Sequence, residues 1–390
     1  MDLVFVTDSR FGKSKNCIYN INGSLGDVLW ARYLEHFDSI TVIARVQQDA
    51  PTNNNAPQTT DPRVKFVHVP YYIGPLQFIR NKKNILKTIE TYLHDKKAAY
   101  IIRLPSTLGD LAINKLLDKH IPYAVEVVGD PKDSLSYTAT KKIIPALLSK
   151  IYAKNLKKNV INSKVALYVT SETLQKRYPI CKNGFEIGVS DVIIDHYIDI
   201  NEIRSFPTQG VIKLLAIGSL EQMYKSPDIV IKAVNTLVKK GLNIHLTWLG
   251  DGKYRESMKM LASKLGLANN VDFVGNVNRN EVFEYMRMSD IYIQASRTEG
   301  LPRALVEAMS VGLPCIGTRV GGIPELLEDR CLIDVNRSDQ LAVTIERMIE
   351  DNSFVNDIKI RNYNKSKEFN HFDLKARRDE FFNKVKEIYQ

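Results

Sequence analysis

The chain of 390 residues is too long for one typical hydrophobic core and long enough for two domains. It is 44% hydrophobic and 25% charged, a composition that argues against disorder over most of its length. The formal charge of +10 favours an acidic partner, namely a phosphate ligand, a nucleic acid or an anionic membrane.

Several classes of function lack their sequence signals. The four cysteines form no CxxC pair and the seven histidines show no ligand-like spacing. The sequence therefore predicts reduced thiols in a cytoplasmic protein, no bound metal and no cofactor. The opening MDLVFVTDSR is too acidic, and its apolar part too short, for a signal peptide, and no apolar run is long enough for a membrane span. Without zinc spacing, RNP-like aromatic motifs or basic heptads, we expect no nucleic-acid partner.

Short apolar, β-branched runs alternate with helical segments along the chain. The first series of predicted strands comprises residues 3–8, 39–45, 64–70, 98–105, 123–130 and 165–171. The second series comprises residues 212–219, 243–251, 271–276, 291–296, 313–318 and 331–335. Such alternation of near-continuous apolar strands with helices predicts parallel sheets covered on both faces. The fold class predicted is α/β, with two doubly wound Rossmann-like domains.

The strand pattern lapses at RSFPTQG (204–210), where a proline and a glycine cluster. We therefore place an N-terminal domain at residues 1–207 and a C-terminal domain at residues 208–365. The remaining helical segment, 366–390, offers aromatic anchors and is expected to pack back on the N-terminal domain. Ligands of doubly wound sheets bind at the carboxyl ends of the strands, so the cleft between the two domains is the expected site.

Two glutamates flank a strand-to-helix turn in ASRTEGLPRALVEAMSVGLPCIGTRVGGIPE (295–325). Free N–H groups at the start of the helix favour an anion. Glu299 precedes the helix and Glu307 lies about a turn and a half inside it, so both can flank one ligand. A nucleotide-diphosphate sugar fits, because it has an anionic centre and hydroxyl-bearing ends. The alternative is an i,i+4 surface pair of Arg303 with Glu307, and a solvated loop charge at Glu299.

The same stretch resembles the signature of family 4 glycosyltransferases, which have the GT-B fold. Their pattern EG-x-P-x4-E-A-M-x2-G-x-P, followed by GG-x2-E, reads here EGLPRALVEAMSVGLP and GGIPE. The resemblance covers most of residues 211–335, and the first half only in architecture. It implies a retaining, metal-independent hexosyl- or N-acetylhexosaminyl-transferase. The implied donor is a nucleotide-diphosphate sugar, with UDP favoured, and the implied acceptor is a saccharide or a lipid-linked molecule of bacterial surface polysaccharide synthesis.

The resemblance also implies roles for residues of the predicted C-terminal domain. Glu307 would bind the ribose hydroxyls. Glu299 would contact the transferred sugar together with the backbone amides of Gly300 and Leu301. A carboxylate suits this role because it accepts hydrogen bonds from two neighbouring hydroxyls. Lys225 would hold the diphosphate and stabilise the leaving group.

One cation of the family pattern is missing. In GSLEQMYKSPD (218–228), serine stands at Ser219 where the family has arginine, and at Ser226 where it has glycine. Arg303 or Arg297 could replace the missing charge, or lysine and helix amides could suffice. The substitution leaves open a second function, a GT-B protein that does not transfer sugar. Such a protein would be a nucleotide-sugar epimerase or a catalytically weak nucleotide-sugar-binding partner.

The predicted N-terminal domain gives weaker signals. Gly23, Ser24 and Gly26 precede a helix whose N-terminus would face donor phosphate and acceptor in the family, although an ordinary tight turn fits equally well. Asp130 closes the strand VEVV and is a candidate for orienting an acceptor hydroxyl. The alternative for Asp130 is an N-cap of the next helix, which the residue type favours.

A basic amphipathic segment, 132–164, contains eight lysines and one acid, and the stretch 79–97 repeats the theme more weakly. Such segments suit an anionic membrane surface. One interpretation of the sequence is therefore a cytoplasmic protein that is peripheral on the inner face of the cell membrane. The alternative is a helix whose apolar stripe packs on its own domain.

Overall fold

The computed structural model describes residues 1–14, 17–21, 23, 25–51, 53, 56–93, 97–131, 143–192, 194, 197–207 and 209–390, with the backbone alone for 143–148. The chain forms two compact units. The first contains residues 1–131, 147–189 and 376–390, and the second is built on residues 190–375.

The first unit contains a largely parallel sheet. Its strands are β1 (Leu3–Ser14), β2 (Cys17–Asn20), β3 (Ile40–Gln47), β4 (Gln58–Thr59), β5 (Val64–Val69), β6 (Ala99–Leu104), β7 (Ala124–Val127), β8 (Val165–Tyr168) and β9 (Phe185–Gly188). The parallel strands lie in the order β5-β3-β1-β6-β7-β8-β9. Strand β2 pairs antiparallel with the second half of β1, and β4 pairs antiparallel with β2.

Helices cover both faces of this sheet, which explains why its strands are apolar without alternation. They are α1 (Asp27–Leu34), α2 (Gly74–Tyr92), α3 (Thr107–Asp118), α4 (Ile143–Ile161) and α5 (Thr173–Arg177). The buried side chains of α2, α3 and α4 join one core cluster with those of the sheet. On α1, Trp30 and Tyr33 pack edge-to-face on Phe5 of β1 at ring distances of 5.4 Å each.

The second unit contains a sheet of six parallel strands. They are β10 (Ile212–Ile217), β11 (Ile244–Leu249), β12 (Val271–Gly275), β13 (Ile291–Gln294), β14 (Cys315–Thr318) and β15 (Leu332–Ile333). Their spatial order is β12-β11-β10-β13-β14-β15, which is the Rossmann order 3-2-1-4-5-6. The order reverses between β10 and β13, and a ligand is expected in the crevice outside the carboxyl ends of those two strands.

The helices of the second part of the chain follow its strands. They are α6 (Pro227–Lys239), α7 (Arg255–Lys264), α8 (Arg279–Met288), α9 (Arg303–Ser310), α10 (Ile323–Leu326), α11 (Ser338–Glu350), α12 (Asn352–Ser366) and α13 (His371–Glu387). Short 3-10 turns lie at Ile200–Glu202, Met223–Lys225, Asp329–Cys331 and Lys367–Phe369. A capping box of Asn278 and Glu281 begins α8. Within the described chain, no helix combines the length and the apolar character that crossing a bilayer requires.

All twelve predicted strands are present, and β2, β4 and β9 are additional. Residues 190–207, which the sequence analysis assigned to the first domain, belong to the second unit. The reason is hydrogen bonding to α12: Tyr363 Oη donates to the carbonyl of Ile198 at 2.8 Å, and Lys359 Nζ donates to that of Arg204 at 2.5 Å.

Residues 376–390 complete the core of the first unit. The ring of Phe382 lies 5.0 Å from that of Tyr33. The Tyr389 hydroxyl donates to the carbonyl of Pro122 at 2.6 Å and accepts from the backbone N–H of Tyr100 at 2.9 Å. The tail therefore closes one end of the first sheet.

Candidate functional site

The loops after β10 and β13 meet at the point where the second sheet reverses its strand order. Lys225, in the β10 loop, and Glu299, in the β13 loop, form an ion pair with Nζ and Oε1 2.5 Å apart. Their side chains are only 13% and 10% exposed. The partial burial weakens screening by solvent, so this pair is stronger than a surface ion pair.

The two oxygens of the Glu299 carboxylate differ in their partners. Oε1 accepts hydrogen bonds from Lys225 Nζ, from Gln294 Nε2 at 2.8 Å and from Ser296 Oγ at 2.7 Å. No donor among the described residues reaches Oε2. Because three donors fix the carboxylate through one oxygen, the other oxygen is oriented and left available for a ligand.

A buried chain of hydrogen bonds supports this arrangement. The hydroxyl of Tyr292, which is fully buried, donates to Gln294 Oε1 at 2.6 Å, and Gln294 Nε2 also contacts Ser296 Oγ at 2.8 Å. These three residues occupy alternate positions along the chain, so they share one side of the β13 backbone. Their polar groups thus extend from the core of the sheet to Glu299.

Two backbone amides follow Glu299 directly. Within the described structure, the N–H groups of Gly300 and Leu301 donate to no acceptor. Gly321 and Gly322 hold the same loop from the other side: a Cβ at Gly321, where φ is +53°, would lie 2.0 Å from the Glu299 carbonyl oxygen, and Gly322 N–H donates to the Gly300 carbonyl at 2.7 Å. The loop therefore presents unused donors just before α9 begins.

Glu307 lies on α9 and is only 6% exposed. Burial raises the pKa of this carboxyl above its usual value, and the charges of Arg303 and Arg279 offset part of that effect. The described residues provide neither a hydrogen bond nor an ion pair to it. The carboxylate oxygens are not among the enclosed polar atoms that lack a partner. They therefore reach the surface, where they can accept hydrogen bonds from a ligand's hydroxyls. The surface-pair alternative for Arg303 and Glu307 is not seen.

The β10 loop is shaped by close packing. A Cβ at Gly218 would lie 2.6 Å from Lys225 Cγ, so glycine lets the lysine stem lie against the strand end. Ser226 adopts a left-handed conformation with φ of 57° and is fully buried, and its hydroxyl has no partner in the described structure. This conformation favours glycine, which explains the residue that the family pattern has at this position.

The two arginines considered as substitutes for the missing cation differ in their surroundings. Arg297 contacts both carboxylate oxygens of Asp228, at 2.9 and 3.0 Å, donates to Asn336 Oδ1 at 2.7 Å and also bonds the carbonyl of Met223. Its charge is therefore already used within the protein. Arg303 is exposed on the first turn of α9. Ser219 is also exposed, and its hydroxyl accepts from the Glu221 N–H at 3.2 Å.

The candidate residues of the first unit have internal partners. Asp130 is 3% exposed, and its carboxylate accepts hydrogen bonds from Arg177 at 2.6 Å and from the Tyr178 hydroxyl at 2.5 Å. Gly26 precedes α1 and packs closely, since a Cβ there would lie 2.8 Å from the Gln58 carbonyl oxygen. Gly23 lies beside Asn20.

Two predictions made from the sequence concern residues that lie partly or wholly outside the described structure. Ser24 lies outside the described residues, as do residues 132–142 of the basic segment. In the described part of that segment, the apolar residues Ala153, Leu156 and Val160 are buried in the core of the first unit.

One group in the described chain brings potential metal ligands together. Single ligand atoms of Glu35, His36 and Asp379 lie within 4.8 Å of one another. The group is in the first unit, where His36 Nε2 and Asp379 Oδ1 are 2.8 Å apart and join α1 to α13. This hydrogen bond accounts for the proximity of the pair without an ion.

The sequence analysis found Glu299, Lys225 and Glu307 but missed Tyr292, Gln294 and Ser296. Their signal was present, because polar atoms at every second position interrupt an otherwise apolar strand. A buried polar side chain requires a hydrogen-bond partner, so this alternation pointed to a network at the end of β13.

Comparison with known proteins gives the following matches. Residues 200–365 match the family of glycosyl transferases group 1. The chain is 33% identical over 375 residues to Protein CapJ of Staphylococcus aureus, covering 93% of this chain and 92% of that protein.

Solved structures resemble the chain over nearly its full length. The lipopolysaccharide outer core galactosyltransferase WaaB, in its apo form, gives a TM-score of 0.68 at 14% identity, over 98% of this chain and 99% of that one. Anabaena Alr3699/HepE in complex with UDP gives a TM-score of 0.65 at 16% identity, over 97% and 99%. The predicted fold class, two doubly wound domains of the GT-B type, is confirmed.

Proposed function

The chain belongs to the group 1 glycosyl transferases, and from this premise we propose a specific reaction. The enzyme moves a hexosyl or N-acetylhexosaminyl group from a UDP-sugar to a hydroxyl of a saccharide or lipid-linked acceptor, with retention of the anomeric configuration. The observation that carries the proposal is the arrangement of unused acceptors and donors around the Lys225–Glu299 pair at the sheet's reversal point.

Glu307 supports recognition of the nucleotide. A ribose offers two neighbouring hydroxyls, and a carboxylate can accept a hydrogen bond from each. In the free protein this mostly buried carboxyl has no hydrogen-bond donor among the described residues, so its oxygens are available to the ribose hydroxyls. The solved structure of HepE with bound UDP makes UDP the favoured nucleotide.

Lys225 and the free amides of Gly300 and Leu301 support recognition of the diphosphate. They place positive charge and N–H donors beside α9, where an anion is stabilised by the helix N-terminus. Glu299 Oε2 then accepts hydrogen bonds from the hydroxyls of the transferred sugar. Arg303, the exposed cation of α9, is proposed to supply the charge that Ser219 lacks.

The transfer step needs no protein nucleophile. The acceptor oxygen forms a bond to the anomeric carbon as the bond from that carbon to the diphosphate oxygen breaks. The proton of the acceptor hydroxyl passes to an oxygen of the leaving diphosphate, and Lys225 with the helix amides stabilises its negative charge. In this mechanism these groups do the work for which other enzymes use a metal ion.

The acceptor is proposed by chemical class. The similar structure of a lipopolysaccharide galactosyltransferase favours a saccharide or lipid-linked acceptor of bacterial surface polysaccharide synthesis. Asp130 and the glycines Gly23 and Gly26, with Ser24, remain proposed contributors on the acceptor side. For Asp130 this role requires that the acceptor compete with Arg177 and Tyr178.

A donor panel tests the proposal. The purified chain is incubated with nucleotide-diphosphate sugars, with UDP-glucose, UDP-galactose and UDP-N-acetylglucosamine among them, and binding is measured by thermal shift and released nucleotide by a coupled assay. We expect a UDP-sugar to raise the Tm and to release UDP faster when a saccharide acceptor is added. The Glu307→Ala variant should lose the Tm increase with UDP while its far-UV circular dichroism stays unchanged.

The same panel distinguishes sugar transfer from the two alternative functions that the substitution at Ser219 leaves open. An isomerised donor without released nucleotide indicates an epimerase. Binding without turnover across donors and acceptors indicates a nucleotide-sugar-binding partner. Unchanged UDP binding by Glu307→Ala removes the role proposed for that residue.

A further inference from the structure

A cavity of about 150 Å³ lies in the second unit, away from the candidate donor site. Its walls come from residues 198–206, 286–290 and 311–314 and from Lys359 of α12, and we call it the α8–α12 cavity. Asp290 and Pro314 directly precede β13 and β14, so the cavity lies at the amino ends of these strands. The donor site is proposed at their carboxyl ends, so the sheet separates the two sites.

Hydrogen bonding and close packing hold residues 198–206 in place as one wall of the cavity. Lys359 Nζ donates to the carbonyl of Arg204 at 2.5 Å. Gly312, where φ is +68°, lies against Ile203, since a Cβ at this glycine would be 2.7 Å from Ile203 Cδ1. The cavity is therefore formed by the fold of the unit itself, as expected of a small-molecule site.

Lys359 is a buried cation without a counter-ion. It is only 6% exposed, and in the described chain its ammonium group contacts a carbonyl but no carboxylate. Burial lowers the pKa of this lysine. Because a buried charge is normally paired with an opposite charge, the ammonium group favours an anion in the adjoining cavity.

Two arginines add further donors to the same cavity. Arg287, in the last turn of α8, is exposed, and its guanidinium group contacts no acceptor among the described residues. Arg204 Nη1 donates to the carbonyl of Met288 at 2.7 Å and lies 3.2 Å from Asp290 Oδ1. The other two nitrogens of Arg204 reach no acceptor in the described structure. Guanidinium groups bind phosphate oxygens through such paired N–H donors.

Two acids also line the cavity, but they leave positive charge in excess. Asp290 is buried and pairs with Arg204, so its charge is offset inside the protein. Glu202 is exposed, and solvent and salt screen its charge. Lys359 and Arg287 remain as cations that no described carboxylate pairs with.

Apolar side chains form the rest of the cavity wall. They are Ile198, Phe206, Met286, Val311 and Leu313. Apolar surroundings lower the local dielectric constant, so the attraction between the cations and a bound anion is screened less than it is at an open surface.

We propose that the α8–α12 cavity binds a phosphate group, either as inorganic phosphate or as part of a small phosphate monoester. Lys359, Arg287 and Arg204 donate to its oxygens. A phosphate group offers these three cations three strong acceptor oxygens, whereas a carboxylate has only two. A cavity of this volume holds a benzene ring, and a phosphate group is smaller. The proposal does not depend on the proposed sugar transfer.

Calorimetric titration of the full-length chain tests the site. The probes are inorganic phosphate and glycerol 3-phosphate, each added with and without an excess of UDP. We expect both probes to bind with a Kd that UDP leaves unchanged, and acetate at equal ionic strength to bind roughly tenfold more weakly. Tighter binding of glycerol 3-phosphate than of inorganic phosphate would identify a phosphate monoester as the ligand, and the reverse order would identify inorganic phosphate.

Removal of a cavity cation should weaken phosphate binding. Arg287→Gln should raise the Kd roughly tenfold, because a hydrogen bond to a charged group is lost, and the Tm of the free protein should not change. The matched control Lys264→Gln removes an exposed cation from the last turn of α7 and should bind phosphate as the unmodified chain does. Lys359→Met keeps the apolar stem and should weaken binding at least as much as Arg287→Gln. If that variant does not fold, Arg287→Gln alone decides.

Removal of an acid should have the opposite effect. Glu202→Gln should strengthen phosphate binding about twofold to threefold, which is the size expected for an exposed charge. Glu350→Gln removes an exposed acid of α11 outside the cavity and serves as the control. An equal gain in both variants would show that only net charge matters.

Three results would overturn the proposal. One is phosphate binding no tighter than that of acetate. The second is an equal loss of binding in Arg287→Gln and Lys264→Gln. The third is phosphate binding that disappears when UDP is present, since the phosphate would then occupy the donor site. A chain that binds phosphate but not UDP removes the proposed donor and leaves the α8–α12 cavity supported, so the two proposals fail separately.

Discussion

The two units reverse their strand order at one place each, and the hydrogen bonding at the two places differs. In the first unit Asp8 lies just beyond the part of β1 that pairs with β6. Its carboxylate accepts hydrogen bonds from the Tyr72 hydroxyl at 2.7 Å and from the backbone N–H groups of Thr107 and Leu108 at the start of α3. Arg45 Nε lies 3.6 Å away. The protein's own carboxylate occupies the helix N-terminus that could otherwise bind an anion.

In the second unit the equivalent place is left incomplete. Glu299 Oε2, the amides of Gly300 and Leu301, and the buried Glu307 find no partner among the described residues. The same winding of the sheet therefore gives one saturated and one unsaturated crevice. We therefore attribute the proposed ligand binding to the unfilled hydrogen bonds and not to the fold.

The largest expected effect is on the rate. Lys225→Ala removes the cation proposed to stabilise the leaving diphosphate, so release of nucleotide in the presence of acceptor should slow by roughly 10²- to 10³-fold. Gln294 and Ser296 still hold Glu299, so the fold should persist. Lys232→Ala, an exposed lysine on α6, is the control, and an equal loss in both variants would contradict the role of Lys225.

The saturated crevice should respond in stability instead. Asp8→Ala leaves two helix N–H groups, a tyrosine hydroxyl and Arg45 without their acceptor. We expect a loss of about 2–4 kcal/mol in the free energy of unfolding, measured by urea denaturation, with the Kd for UDP unchanged. A weaker UDP affinity at unchanged stability would break the contrast between the two units.

In the unsaturated crevice a substitution should change stability and affinity in opposite directions: the Tm should rise and the affinity for UDP should fall. Glu307→Gln replaces a mostly buried carboxyl, whose pKa is raised by burial, with a neutral amide. The Tm of the free protein should therefore rise at any pH where the carboxyl is ionised. UDP affinity should fall roughly tenfold, because a charged acceptor becomes a neutral one. Calorimetric titration measures the affinity, and a lower Tm in the free variant would show that Glu307 has an internal stabilising partner.

The unmodified chain and the Glu307→Gln variant should differ in how their Tm depends on pH, because burial raises the pKa of Glu307. At a pH below the ordinary glutamate pKa the carboxyl is protonated in both the folded and the unfolded chain, so its burial costs little. As pH rises above that value and through the folded-state pKa the native protein must bury a charge, so the Tm advantage of Glu307→Gln should grow. Ribose binding favours the carboxylate, so UDP affinity should increase over the same range in the unmodified chain only. Ionisation of UDP itself affects both proteins and cancels.

A smaller effect on ligand affinity is expected from a substitution of Gln294, which donates to Glu299. Gln294→Met keeps the approximate volume but removes the donor to Glu299 Oε1 and the acceptor for the buried Tyr292 hydroxyl. Affinity for the UDP-sugar should fall about fivefold to tenfold, while affinity for UDP stays unchanged, because Glu299 is proposed to contact the sugar and not the nucleotide. Equal losses for both ligands would indicate a general structural defect.

The sequence revealed the sheets well because buried parallel strands are long apolar runs. It missed β2, β4 and β9, which have only two to four residues each, and it ended β1 at residue 8 although the strand continues to Ser14. The continuation pairs with β2 through backbone hydrogen bonds, which depend little on side-chain type. A period of apolar residues cannot predict such pairing.

The site was predicted only in part, for a related reason. The motif identified Glu299, Glu307 and Lys225, but charge alone does not reveal which ions are already neutralised. Arg297 is paired with Asp228, 69 residues away, and Asp130 is paired with Arg177, 47 residues away. Pairs at such separations are set by the register of the sheets, so a candidate ion looks equally available in the sequence whether or not it has a partner.

The closure of the first sheet by residues 376–390 has a consequence for biosynthesis. Phe382 and Tyr389 belong to the core of the unit that is translated first. That unit stays unfinished until the whole chain has left the ribosome, whereas the strands and helices of residues 190–375 are synthesised without waiting for it. Premature termination near residue 375 would thus expose the aromatic surface of Tyr33 and Phe37, which contact Phe382, and such truncated chains are expected to aggregate or be degraded.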